Sequence, residues 1–502
     1  MTDKRVLCSV VLLLFASFRL VASDSFYMEL TRKGLDTAYN LRIGEATEIF
    51  DQLIRLEPEN PHGYVLQSVN YFYRLKLEDQ GARFENDFRK HAALAIKYAK
   101  RQLPSGHQRI DALFYLGTAY IYQAVYYGDS GSWLKAYNYG KEGIDFLQKV
   151  VELDSTYYDA YLGLGAYHYY AAIMPDIVKR VASVFGFEAD RRRGLQELQI
   201  AAEKGTYTRA EASLFLGNIY LYSEKDYEKA AVYFKALVDA YPEHAGFLGF
   251  LGESYLRDGK HHEAISTFER ALSASSAGLM PFVKVPVLYH MGDAYFQLNE
   301  FGRAADYYQL TLDLVAGFEH RIKWTFAWCN YKKGESLELL GNRAGAIRSY
   351  GEVQKSDRKE VWERAQNRIR EPIDEIQRNL ILGTNLELTG EYDAAIRAFE
   401  AALQSLPALV SDEREERLLE IQYNIARIYY HKEEYHHAIV RLKDTLTAKP
   451  DQEWLKSWAH YYLGSCYQKT GEVDEAREQF RIASEFDDSG LRMQVSNAVD
   501  RL

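Results

Sequence analysis

The sequence predicts an all-α protein, a right-handed solenoid of about eleven antiparallel helix pairs. Three observations predict it. The chain has 502 residues, 47% hydrophobic and 26% charged, a globular balance too long for one ordinary core. Only 10 prolines interrupt it, so helix interiors can run undisturbed. Small residues, alanines and rings return in a fixed order at a period near 34 to 49 residues. That order is the mark of helical pairs that bury their apolar faces against their neighbours.

The first 23 residues read as a secretory signal. Lys4 and Arg5 give a basic start, residues 6–18 an uncharged apolar run, and Val21-Ala22-Ser23 the small residues before cleavage at Asp24. The run is too short to span a bilayer comfortably, and Arg19 interrupts its end. The protein is therefore expected to be exported, periplasmic or secreted. Cleavage removes Lys4, Arg5 and Arg19 against Asp3, which takes the net charge from −10 to −12. It also removes Cys8 and leaves Cys329 and Cys466, far apart and expected as free thiols. Three cysteines exclude a disulfide scaffold. The acidic balance argues against a nucleic-acid partner, which needs a basic face. No later apolar stretch is long enough for a transmembrane helix in the mature chain.

From Gly252 the order runs Tyr255, Ala264, Phe268, Ala271. From Gly292 it runs Tyr295, Ala304, Tyr308, Thr311, and from Gly334 Leu337, Ala346, Tyr350, Val353. Gly383, Leu386, Ala395, Phe399, Ala402 and Pro407 repeat it, as do Ala426, Tyr429, Ala438, Leu442 and Pro450. Gly464, Tyr467, Ala476, Phe480 and Ala483 close the series. Gly217, Tyr220, Ala230, Phe234 and Pro242 fit with one inserted residue, and Gly34, Ala46, Phe50, Leu53 and Pro58 fit near the start.

This order resembles the tetratricopeptide repeat, strongly over residues 212–486 and fairly over 30–58. The resemblance implies a two-helix unit whose first Gly and later Ala lie where the helices touch. The ring sixteen residues on is expected to fill the gap to the next unit, and a proline twenty-four residues on to end the second helix. Starting from Gly217 the steps are 35, 40, 42, 49, 43 and 38 residues, longer than the family's unit of about 34. The excess predicts longer helices and loops, and one extra helical stretch over 357–370.

The middle third diverges. Gly117 and Tyr120 open a first helix whose partner, over 135–153, is delayed by the loop GDSGS at 128–132. Another unit opens at 159–165, and its partner helix is delayed to about 192–204 by the insert 174–193. Gly163, Gly165, Met174-Pro175, Gly186-Phe187, Asp190-Arg191, Gly194-Leu195 and Leu198 make residues 160–275 similar to the inclusion-body clearance protein and tetratricopeptide repeat protein 39 family. That family implies a repeat protein without known catalysis. It is intracellular, whereas this chain carries an export signal, so only its fold carries over. The expected organisation is a signal at 1–23, N-terminal hairpins at 24–105, divergent repeats at 106–205, a regular array at 206–486 and a C-terminal cap at 487–502.

Several motifs tempt a catalytic or metal reading and fail on context. GDSGS at 128–132 matches a serine-protease nucleophile segment but falls between helices, where it reads as a turn. His261-His262 and His436-His437 fall where second helices start; adjacent helical positions diverge by about 100° and rarely share one ion. The stretch GESYLRDGK at 252–260 has the wrong glycine spacing for a phosphate loop. GLG at 163–165 follows no strand. No metal, no cofactor and no catalytic residue is predicted.

The binding candidates are aromatic. Tyr122, Tyr126, Tyr127, Tyr169, Tyr170 and Tyr222 exceed the repeat pattern and fall late in first helices, which in this family line a concave groove. Tyrosine there offers contact area at low entropy cost, with a hydroxyl to hydrogen-bond; packing between repeats is the other reading. Chaperone-binding members of the family grip a C-terminal carboxylate with basic and amide side chains. Here the comparable positions hold Asn218, Glu253, Asp293 and Arg427, which disfavours that grip and suits a basic or neutral ligand. Arg191, Arg192 and Arg193, with Lys179 and Arg180, form the one sharp basic cluster, a surface contact for an acidic partner or anionic lipid, or a solvated face. The expected function is a non-catalytic exported scaffold that binds a protein or peptide partner through Tyr122, Tyr126, Tyr169, Tyr170, Asn218 and Tyr222. The alternative is an envelope protein that binds glycan or lipid through the aromatic groove and the 174–193 insert. The sequence leaves the oligomeric state open.

Overall fold

The computed structural model describes residues 26–78, 81–104, 109–173, 189–274, 281–318, 322–406, 411–447, 453–486 and 489–502. The signal segment, residues 174–188 of the insert, Pro407 and Pro450 lie outside the described residues. Among the described residues all regular structure is helical. The helices pair in chain order: α1–α2 (26–39 and Ile43–Leu56), α3–α4 (Pro61–Leu77 and Glu85–Gln102), α5–α6 (Arg109–Asp129 and Trp133–Leu153), and α7–α8 (Ala160–Ile173 and Arg191–Lys204). In α9–α10, Arg209–Asn218 runs on as a π-helical turn, Ile219–Glu224, before Tyr227–Ala240. Then come α11–α12 (Ala245–Arg257 and His261–Ser273), α13–α14 (Pro281–Gln297 and Phe301–Ala316) and α15–α16 (Lys323–Leu339 and Arg343–Gly351). The single helix α17 (Lys359–Arg370) is the extra stretch the spacing predicts. The series ends with α18–α19 (Glu375–Leu388 and Tyr392–Ser405), α20–α21 (Ser411–His431 and Tyr435–Thr447), α22–α23 (Glu453–Thr470 and Val473–Glu485) and the single α24 (Ser489–Val499). The chain divides into two compact units. An N-terminal unit takes the described residues up to Gly217 with those of 233–247 and 273–282; a C-terminal unit takes those of 218–232, 248–272 and 283–502.

The repeat register has a direct steric cause. A Cβ built on Gly34, Gly217, Gly252, Gly292, Gly334, Gly383 or Gly464 would stand 2.5–2.8 Å from the ring of Phe50, Phe234, Phe268, Tyr308, Tyr350, Phe399 or Phe480, respectively. Each ring therefore lies on the glycine of its own hairpin. The rings also reach the next unit, as expected: Phe268 stacks on His290 at 6.3 Å between centroids, and Phe399 shares a core with Ile421 and Ile425. The alanine of each pattern is fully buried beside it. In α20–α21, Ala426 takes the glycine's place and Leu442 the ring's, and both are fully buried. A methyl on one helix is matched by a smaller side chain on the other, as close packing requires. Where the ring is tyrosine, its hydroxyl needs an acceptor in the interior. Tyr308 donates to Asp293 Oδ1 at 2.7 Å, and Tyr350 to Glu338 Oε2 at 2.9 Å.

Each of these first helices also ends alike. Seven residues after the glycine, or after Ala426, the backbone turns left-handed at Leu41, Gly259, Asn299, Gly341, Gly390, Glu433 and Gly471, with φ between 59° and 86°. In the C-terminal unit the next N–H reaches back to the carbonyl five residues earlier, as in Lys260 to Tyr255 and Glu434 to Tyr429, both 2.8 Å. This is the Schellman ending, which satisfies carbonyls the helix leaves unpaired. After Gly217 the left-handed residue is Lys225, one position late. The inserted residue seen in the sequence is taken up by the π turn Ile219–Glu224. Glu433 holds its left-handed φ of 62° without glycine's freedom. Glu433→Gly is expected to stabilise the protein by about 0.5–1 kcal/mol after the entropy gained by the unfolded chain. The urea midpoint measures it; an unchanged or lower midpoint would show that Glu433 is not strained.

Candidate functional site

In the N-terminal unit the first helices α1, α3, α5 and α9 meet through tyrosine and one carboxylate. Tyr73 of α3 donates to Glu211 Oε1 at 3.0 Å, and Tyr122 of α5 donates to the same oxygen. Tyr39 of α1 lies beside this cluster, and its ring packs on Tyr241 at 5.5 Å between centroids. Tyr241 in turn reaches Asp36 Oδ1 at 3.5 Å. Tyr39, Tyr73, Tyr122 and Glu211 are all half-buried.

The inward direction of Glu211 has a local cause. Thr208 and Glu211 stand three residues apart at the start of α9, the spacing of a capping box in which the Glu turns back to the helix N-terminus. Here Asp159 already does that work. It accepts the N–H groups of Thr206, Tyr207 and Thr208 at 3.2, 2.8 and 2.9 Å, and the Thr208 hydroxyl at 2.8 Å. The Glu211 carboxylate is thereby free to face the tyrosines. Burial raises its pKa, and the two hydroxyl donors pull the other way. Among the described residues no Lys, Arg or His forms an ion pair with it, and its Oε2 accepts no hydrogen bond. Burial first, and then the Glu211 charge, push the hydroxyls of Tyr39, Tyr73 and Tyr122 well above the usual tyrosine range. They remain neutral donors. A second aromatic group joins α1, α3 and α5 to the segment before α9: the His62 ring lies 5.7 Å from Tyr27, 5.3 Å from Tyr115 and 5.3 Å from Tyr207. Burial lowers the His62 imidazole to about 4, so it is neutral there.

In the C-terminal unit the first helices carry paired charges instead. Glu253 accepts from Tyr222 at 2.7 Å and from Arg257 at 2.8 Å, and His290 Nε2 stands 3.4 Å away. His290 Nδ1 lies 3.5 Å from Asp293, which also takes the Tyr308 hydroxyl. Arg427 bonds both oxygens of Glu387, at 2.7 and 2.5 Å. Glu253, Asp293 and Arg427, at positions comparable to a carboxylate grip, are thus engaged within the fold.

The residues predicted to bind a partner are not gathered in one place. Tyr122 belongs to the Glu211 cluster. Tyr126 donates to Glu85 Oε1 at 2.5 Å. Tyr222 keeps 49% of its surface exposed while its hydroxyl holds Glu253, and Asn218 is half-buried where the π turn begins. Tyr169 is a correction. It is 0% exposed and packs against α8, where a Cβ on Gly194 would stand 2.5 Å from its backbone nitrogen. Its place is in the α7–α8 interface, and it has no face for a partner. Tyr170 meets the Tyr169 ring edge-on at 5.5 Å and is 40% exposed. Arg191, Arg192 and Arg193 form the first turn of α8. Arg193 pairs with Glu197 at 2.9 Å, and its N–H is capped by Asp190. Lys179 and Arg180 lie outside the described residues.

The other motifs are structural. GDSGS spans the end of α5 and the turn into α6, with Gly131 left-handed at φ 74°. His261 is buried and lies between the Gly259 carbonyl, 2.6 Å, and Gln297 Oε1, 2.9 Å. His437 faces Glu434 on the surface. Among the described residues no group of three or more His, Cys, Asp or Glu is placed to hold a metal. Cys329 and Cys466 are free and buried, and burial pushes the Cys466 thiol up to about 12.

Successive helical hairpins, seven of them closed by a ring on a glycine, define a helical-repeat solenoid. Family models of the tetratricopeptide repeat match residues 216–278, 285–314 and 458–489. Those stretches carry tetratricopeptide repeats, and such repeats suggest a protein-interaction scaffold. Similar solved structures include a tetratricopeptide repeat protein from Parabacteroides merdae ATCC 43184, 17% identical over 58% of this chain and 97% of that one, with a TM-score of 0.25. Two structures of MamA are each 21% identical, over 42% and 41% of this chain and 94% and 97% of theirs, with TM-scores of 0.25 and 0.24. None of these matches belongs to the inclusion-body clearance family that residues 160–275 resemble. No curated protein matches the chain.

Proposed function

We propose that the protein is an exported, non-catalytic scaffold, and that the tyrosine-and-carboxylate face of its N-terminal unit seats a basic or neutral segment of a protein partner. The observation that supports this reading is the half-buried cluster of Tyr39, Tyr73, Tyr122 and Glu211, which holds a carboxyl group without a basic counterpart among the described residues. Tyrosine faces add contact area, and the acidic chain draws in a basic segment by long-range attraction. Among the described residues no helix is long and apolar enough to cross a membrane. Export follows from the N-terminal signal pattern.

The test has two parts. N-terminal sequencing of the protein recovered from the cell envelope or the medium should begin at Asp24; a chain that keeps Met1 in the cytosol would refute export. A peptide array should show preference for basic over acidic sequences. Glu211→Lys should reverse that preference, with a loss of about tenfold or more for basic peptides. An array that ignores peptide charge would refute the face as the recognition surface.

A further inference from the structure

We infer that Glu211 with Tyr39, Tyr73 and Tyr122 forms a receptor for one organic cation of the alkylammonium class, such as a lysine side chain or a methylated amine. The inference rests on the reading above and names the chemical group the face selects. The argument begins with the two oxygens of Glu211. Oε1 receives both tyrosine hydroxyls, one from α3 and one from α5, so the carboxylate plane is held from two sides. Oε2 has no donor among the described residues. Glu211 is half-buried and Oε2 keeps access to solvent, so a cation from outside can reach it. No cation of the described residues pairs with Glu211, which leaves that oxygen open to a cation from outside.

The surroundings select its type. Three tyrosines with neutral hydroxyls stand about the carboxylate. Aromatic faces attract a compact cation through their quadrupoles, and quaternary and primary ammonium groups suit such a setting. A strongly hydrated metal ion does not, since the cluster offers one carboxylate and neutral hydroxyls, and no group of three or more metal-ligating residues occurs among the described residues. Asp36, bonded to Tyr241 beside Tyr39, adds a second negative charge at the edge. Glu211 lies in the first turn of α9, where the helix N-terminus favours the ionised carboxylate.

The probes are tetramethylammonium and methylammonium chloride, titrated into the full mature chain by calorimetry at constant ionic strength against sodium chloride. Saturable binding by an ammonium probe and none by sodium is expected. Glu211→Gln keeps an acceptor for both hydroxyls and should weaken the probe about tenfold or more, while thermal unfolding of the variant is unchanged or shifted upward. Tyr122→Phe, which frees the carboxylate to swing, should weaken it several-fold. Binding should also fall on acidification at a pH above the usual carboxylate range, since burial raises the Glu211 pKa. Absence of saturable ammonium binding, or binding that Glu211→Gln leaves intact in a folded protein, overturns the inference. A chain that prefers basic peptides yet fails this titration keeps the scaffold reading and loses the receptor; one that binds ammonium at Glu211 but ignores peptide charge keeps the receptor and loses the scaffold reading.

Discussion

Glu253→Ala is expected to cost about 3–5 kcal/mol, the largest effect of any single substitution considered. Glu253 is 4% exposed and balances Arg257 and His290 together, while Tyr222 donates to it from the preceding hairpin. Removing the carboxylate leaves His290 buried with only Asp293 opposite it. Burial by itself would lower the His290 imidazole. The hydrogen bonds and charges of Asp293 and Glu253 outweigh it and raise the pKa from 6.5 to about 9. Glu253 is desolvated too, but His290, Arg257 and Tyr222 hold it well below the usual carboxylate range, at about 2.

The pH dependence follows from those directions. A histidine raised on folding contributes stability that is complete below 6.5 and is lost as the pH climbs through about 9. A lowered carboxylate contributes stability that is complete above 4.5 and is lost as the pH falls through about 2. The cluster therefore contributes most between 4.5 and 6.5. The His290 displacement corresponds to about 3 kcal/mol across the alkaline limb. Urea unfolding at several pH values should show that limb in the wild type and a much shallower one in Glu253→Ala. Equal slopes in the two proteins would mean that His290 does not carry the charge assigned to it.

The second large effect concerns the ring on the glycine. Gly252→Ala places a methyl about where Phe268 stands, since the built Cβ comes within 2.5 Å of the ring. Overpacking of this kind costs about 1–3 kcal/mol, partly offset by alanine's helix preference of about 1 kcal/mol. Phe268→Leu alone leaves a cavity and also destabilises. Combined, the two changes recreate the Ala426–Leu442 pairing found in α20–α21, and the double variant should recover at least about 1 kcal/mol of the summed loss. Strict additivity in the thermodynamic cycle would mean that the two positions do not share one packing space.

The repeat register was legible in the sequence because it is short-range. Glycine, alanine and ring lie within sixteen residues of each other, and the hairpin packs them together. The one-residue slip after Gly217 was visible too, and the structure turns it into a π turn. The left-handed helix endings were legible at Gly259 and invisible at Asn299 and Glu433, where no glycine marks them. The Glu211 cluster was hidden for two reasons. Its partners Tyr73 and Tyr122 lie 138 and 89 residues away, and Thr208-x-x-Glu211 reads as a helix cap until Asp159 is seen to occupy that role. Tyr169 misled for a related reason. A tyrosine late in a first helix faces either a partner or the next helix, and Gly194, which makes room for it, stands on a different helix.

The clasp of ring and glycine closes inside one hairpin, and the lengthening of the repeat falls elsewhere. From Gly252 on, the glycine, or Ala426, and its partner keep a constant separation, while the step from one hairpin to the next ranges from 38 to 49 residues. Such a chain is permissive to insertion at its junctions, because extra residues there disturb no clasp. Helix α17, set between two hairpins that each keep their own, is what that permissiveness looks like once an insertion has folded. Lineages built on this plan can lengthen or re-space their modules by small genetic steps, each of which leaves the neighbouring modules able to close on their own.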